Sequence, residues 1–195
     1  MSLKTVFFDA FASRPQPAPA EVIRSEVTRY ESDRVRQLLA TTSSVEINKH
    51  DLRTVVEGNL WMLAPEAFLY FLPAFLQTSL SSYSTVSVFA SELIGALTEP
   101  ARSDVVEAID SITQAQTAIG LIEGVSGSLR QQQLEWFDSG TPTAIFHERF
   151  DQITQTEGAA VLTFLRAFQT AHGENFPFDE LEIAIDRYWS QYQNM

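Results

Sequence analysis

Between Leu60 and Leu80 the chain reads LWMLAPEAFLYFLPAFLQTSL, a stretch with a single charge, Glu66, and two prolines, Pro65 and Pro73. Proline has no backbone N–H, so it fits the first turn of a helix, where that donor lacks an intrahelical partner anyway. Pro65 therefore marks a helix start. Phe68, Leu72, Phe75, Leu76 and Leu80 then recur at helical spacing, and Leu69 and Phe71 extend the apolar surface nearly all round. A helix apolar on most sides has to be wrapped by the rest of the fold. Pro73 removes one hydrogen bond from its middle and is predicted to kink or split it.

The same stretch has about the length that spans a bilayer, roughly 20 residues. It carries Glu66 and two prolines, however, and no Lys or Arg lies between Arg53 and Arg102 to anchor an end. The expected role is a buried core helix, with no membrane partner.

The flanking sequence supplies helices to cover it. A short apolar segment at 3–12 places Val6, Phe7, Ala10 and Phe11 at helical spacing. The proline-rich connector at 13–19, SRPQPAP, forbids a helix. A charged amphipathic stretch runs from Ala20 to Ala40, and Asn48 or Asp51 is placed to cap a short helix ending near Gly58. Val86, Phe89, Ala90, Leu93 and Leu97 form one further stripe. Val105, Ile109, Ile112 and Ile119 form another, which Ser103 and Asp104 precede. Ser128 with Gln131, and Thr154 with Glu157, have capping-box spacing. Ser139 to Pro142 is a break, and Ile145, Phe146, Arg149 and Phe150 suggest a short helix after it. Gly173 ends the helix that carries Val161, Phe164, Leu165 and Phe168, and Asp179 starts the last one, with Leu181, Ile185, Tyr188, Trp189 and Tyr192. The only strand candidates are Ser44–Ile47 and Tyr83–Val88. The expectation is an all-α or predominantly α fold: one multi-helix globular domain over 1–195, built around a kinked central apolar helix.

Two segments resemble a bacterial domain family of unknown function. The first holds Trp61, Pro65-Glu66-Ala67-Phe68 and Phe71-Leu72-Pro73-Ala74-Phe75-Leu76. The second, FHERFDQITQTEGAAVLTFLRAF, is similar to a pattern of an Arg, a capped turn and a Val-x-x-Phe-Leu helix, and the closing Tyr188-Trp189 fits too. The stretch from about 100 to 140 is longer here than in that pattern. The resemblance implies a shared fold and brings no activity, cofactor or catalytic residue with it.

Composition narrows the chemistry. With no cysteine, the chain has no disulfide, thiolate metal site or cysteine nucleophile, which suits a reducing, cytoplasmic setting. Met1–Ala12 lacks the pattern of a secretory signal. The formal charge is −12, and no lysine follows Lys49. Such a surface repels phosphate backbones, so nucleic acid is not an expected partner; the charge fits a basic protein partner, or simply solubility.

His50, His147 and His172 lie far apart. His147 and Asp151 share a helical face, but HERFD lacks the second histidine of a zincin helix, and no metal or other cofactor is implied. The glycine segment GLIEGVSGSLR, residues 120–130, lacks the lysine of a phosphate loop and reads as a joint between helices. In Glu174, Asp179, Glu180, Glu182 and Asp186 the spacing is wrong for a calcium loop, and carboxylates near a helix start complement its dipole. Glu66 is the one ligand-binding candidate, as the only charge between Glu57 and Glu92. Its competing reading is an exposed first-turn carboxylate. No catalytic residue emerges. Three functions fit: a non-enzymatic intracellular interaction protein of immunity or regulator type, a small-molecule-binding protein or hydrolase using buried carboxylates, and a structural homo-oligomer subunit.

Overall fold

The computed structural model describes residues 2–27, 30–118 and 124–193, with side chains at all of these except 112–118, 124–127 and 129. Its α-helices are α1 (Leu3–Ala10), α2 (Tyr30–Thr41), α3 (Lys49–Asp51), α4 (Pro65–Ser81), α5 (Tyr83–Leu97), α6 (Arg102–Ala118), α7 (Gly124–Asp138), α8 (Thr141–Phe150), α9 (Gln155–His172) and α10 (Glu180–Arg187). Among the described residues the only β feature is an isolated bridge between Ile23 and Leu63. The fold is all-α, as the helical spacing requires. Both strand candidates are absent: Tyr83–Val88 opens α5, and Ser44–Ile47 lies in a turn.

The helices fall into two compact units. One comprises Met1–Thr98 with Arg149–Met195, the other Glu99–Glu148. In the first, α4 packs against α1, α5 and α9. Ala67 to Leu76 are all buried along it except Tyr70. Its aromatic rings meet edge to face: Phe68 with Phe75 at 6.3 Å and with Phe150 at 5.8 Å, and Phe75 with Phe89 at 5.4 Å. That geometry sets positive ring edges against negative ring faces. Trp189 is fully buried, and its indole N–H donates to the Leu97 carbonyl at 2.6 Å, satisfying an acceptor that the end of α5 leaves open.

Local signals explain most boundaries. Pro65 occupies the first turn of α4. Pro73 does not split the helix, which runs unbroken to Ser81. The non-helical backbone expected there occurs instead in α5, at Val86, with φ −122° and ψ 30°. Asn48 caps α3, accepting from the His50 and Asp51 N–H groups, while Asp51 reaches back to the Asn48 N–H. The chain then tightens into a π-turn at Leu52–Val56 and leaves through Gly58, whose φ of 78° favours glycine. Thr154 and Glu157 form the expected capping box at the start of α9.

The second unit contains an antiparallel hairpin of α6 and α7. Arg102 pairs with Asp138 through two hydrogen bonds, 2.9 and 3.2 Å, and Arg130 pairs with Asp110 at 2.9 Å. Because α7 already begins at Gly124, Ser128 is inside the helix and is not its cap. Gly120 and Ile119 lie outside the described residues.

Candidate functional site

Glu66, the ligand-binding candidate, is exposed in the first turn of α4. There it complements the helix dipole, and its charge adds to the field at Arg14. The histidines are dispersed. His147 Nε2 lies 3.3 Å from a Glu99 carboxylate oxygen. His172 stacks on Tyr83, ring centres 4.4 Å apart, and His50 is exposed in α3. Among the described residues no group of three or more His, Asp or Glu side chains is placed to hold a metal ion.

Two other carboxylates, Glu157 and Glu92, are held by internal hydrogen bonds. Glu157 is fully buried. Its oxygens receive Arg14 Nε at 2.6 Å, Arg14 Nη2 at 2.8 Å and the Thr154 N–H at 2.8 Å. Burial alone would raise its pKa, but these donors and the Arg14 charge outweigh that and hold it below the ordinary carboxylate range. Glu92 on α5 accepts the Gly58 N–H at 2.8 Å and the Leu60 N–H at 2.9 Å. Burial, with repulsion from Glu57, lifts its pKa, and the two N–H groups and Arg149 offset this only in part. Glu57 reciprocates by accepting the Phe89 N–H at 3.1 Å, just past the irregular turn at Val86. A break in a helix frees N–H groups, and Glu57 fills one such vacancy.

Arg149 completes this corner. Its guanidinium lies 4.6 Å from the centre of the Phe68 ring and donates to the carbonyls of Leu60 and Trp61 at 3.2 and 3.4 Å. The turn carrying Trp61, which is 42% exposed, is thus held by side chains from α5 and α8. A signal for Glu92 was present: it is the only charge between Glu66 and Glu99. For Arg14, seated in the proline-rich connector, nothing in the spacing announced a partner 143 residues away.

The acidic cluster lies on the segment from α9 into α10. Asp179 stands at the N-cap position of α10, yet its side chain makes no capping bond. The backbone there is left-handed, φ 56°, the one such non-glycine residue among those described. Its carbonyl accepts the Ile183 N–H at 2.8 Å. Glu180 accepts the Phe178 N–H at 3.0 Å. Phe176 turns inward against Tyr83 and Phe168, with ring centres 6.3 and 5.5 Å away. Phe178, two residues on, is 78% exposed. Glu174, Asp179, Glu182 and Asp186 are exposed as well.

No protein-family model, curated protein or solved structure matches the chain.

Proposed function

We propose that the chain is a non-enzymatic intracellular interaction protein that holds a basic partner on its carboxylate-rich surface, in an immunity- or regulator-like role. The observation that carries this reading is how the charges are divided. Glu157 and Glu92 are engaged internally, by Arg14 and by backbone N–H groups. Exposed carboxylates are spread along the chain, and residues 173–186 carry Glu174, Asp179, Glu182 and Asp186 among them with no Lys or Arg in that segment. Opposite charge across an interface raises the association rate and rejects acidic competitors.

A hydrolase reading would turn to Glu92, whose burial-raised pKa suits a general acid. Both of its oxygens, however, already accept backbone N–H groups. A homo-oligomer would have to bring copies of a −12 chain together against mutual repulsion.

Calorimetric titration of the full chain with an oligo-lysine peptide and with an oligo-glutamate peptide of equal length tests the reading. Binding confined to the lysine peptide, and weakening as salt is added, is the expected result. Equal binding of both peptides, or of neither, refutes it.

A further inference from the structure

We infer that Phe178 is the apolar anchor of the partner surface, and that its occupant is a segment of another protein carrying an apolar side chain next to Lys or Arg. This rests on the proposed preference for a basic partner and names the place where that partner docks.

Sequence and geometry combine here. In NFPFDE, residues 175–180, two phenylalanines flank a proline. They are not equivalent. Phe176 is buried against Tyr83 and Phe168, which pins the start of the turn to α5 and α9. Pro177 has a fixed φ. The Phe178 N–H is tied to the Glu180 carboxylate, and Asp179 turns the chain abruptly into α10. The backbone on both sides of Phe178 is therefore set before any partner arrives, while the ring stands 78% exposed. A large apolar side chain held outward on a fixed backbone binds with little loss of conformational entropy. Aromatic residues of this kind are enriched at the centres of interfaces, where they fill pockets on the partner.

The surrounding charge selects the occupant. Glu174, Asp179, Glu180, Glu182 and Asp186 lie within eight residues of Phe178, and no Lys or Arg falls in 173–186. A second copy would bring the same five carboxylates against these, and an anionic membrane surface would be repelled likewise. A basic segment is attracted, and its apolar residue covers the ring while its cations meet the rim.

The test uses the full chain, a peptide of alternating Leu and Lys, an oligo-lysine peptide of equal length, and the variant Phe178→Ala. The residue is 78% exposed, so the variant should melt close to the wild type. We expect the Leu-Lys peptide to bind more tightly than oligo-lysine. In Phe178→Ala that advantage should disappear, with affinity for the Leu-Lys peptide falling about tenfold or more. Amide resonances of residues 174–182 should shift most on titration. Unchanged Leu-Lys affinity in Phe178→Ala overturns the anchor while leaving the basic-partner reading in place. Failure of both basic peptides to bind the wild type overturns that reading and the anchor with it. A sedimentation shift from monomer to dimer that Phe178→Ala abolishes assigns the ring to a second copy and also overturns the inference.

Discussion

Arg14 grips Glu157 through two parallel hydrogen bonds, Nε to Oε1 at 2.6 Å and Nη2 to Oε2 at 2.8 Å, across 143 residues of chain. Arg14 Nη2 also donates to the Gln152 carbonyl at 2.9 Å. The carboxylate so held is the one that receives the Thr154 N–H in the capping box of α9. A single carboxylate thus closes a helix start and fastens the connector between α1 and the rest of the first unit. A fork-shaped guanidinium suits this double role, because both oxygens are engaged in one plane while one is still able to accept the cap.

Arg14→Ala should therefore be strongly destabilising. It leaves Glu157 buried without its cation, at a cost of about 3 kcal/mol, with some relief because Arg14 is itself partly exposed. Urea denaturation at neutral pH measures it. A loss below about 0.5 kcal/mol, the range of surface pairs, would show that solvent replaces the guanidinium.

Buried Glu157 and half-buried Glu92 should give opposite pH dependences. Glu157 has a depressed pKa in the folded state, so its contribution is present above the unfolded carboxylate range and fades as pH falls through the folded value. Glu92 has a raised pKa, so its contribution is present below the unfolded range and fades as pH rises through the folded value. The cost of Glu157→Gln should thus grow from pH 4 to pH 7, while that of Glu92→Gln, about 1–2 kcal/mol in acid through one lost acceptor, should shrink. Paired urea melts across that interval check both signs. Parallel slopes would mean that the environments of the two groups are alike.

Gly158→Ala should destabilise although it replaces glycine inside a helix. Alanine ordinarily gains up to about 1 kcal/mol at such a site. Here Gly158 is buried, and an added Cβ would collide with the ring of Tyr192. Overpacking of that kind costs about 1–3 kcal/mol, so a net loss is expected. Adding Tyr192→Ala should recover part of it, and the recovery, read as a double-mutant cycle, measures the contact. A Gly158→Ala protein more stable than the wild type would show that the ring moves aside freely.

What could be read in the sequence was mostly local. Pro65, the Thr154–Glu157 box and the periodicity of Phe68 to Leu80 act within one or two turns, and each appears where the spacing puts it. Long-range relationships were hidden. Nothing near Arg14 specifies Glu157, and the direction Arg149 faces depends on Phe68 and Leu60 arriving from elsewhere. Pro73 shows the limit of a local rule. Its missing N–H does not break α4, which runs on through a densely packed stretch, and the irregular turn falls at Val86 in a segment without proline. Phe176 and Phe178 are indistinguishable by type and spacing, and only the tertiary structure sends one inward and leaves the other out.

The sharpest contrast is expected within α4 itself. Phe68 is fully buried, touches the rings of Phe75 and Phe150 edge to face, and carries the Arg149 guanidinium over its own face at 4.6 Å. Leu72, one turn on, is fully buried too. Truncation removes transfer free energy and leaves a cavity, so Phe68→Ala should cost about 3–5 kcal/mol and Leu72→Ala about 2–5 kcal/mol. Against a typical total of about 5–15 kcal/mol, either is a large loss. Phe68→Ala should be the worse of the two, because it also strips the surface on which Arg149 rests and loosens the grip of that residue on the Leu60–Trp61 turn. Its indole fluorescence should then change even at low denaturant, before global unfolding. Glu66→Gln, two residues before Phe68, should cost only a few tenths of a kcal/mol, the exposed dipole contribution of a first-turn carboxylate. A large loss on Glu66→Gln would place that carboxylate in a buried interaction. A silent Phe68→Ala would mean that α4 is not the centre of the first unit.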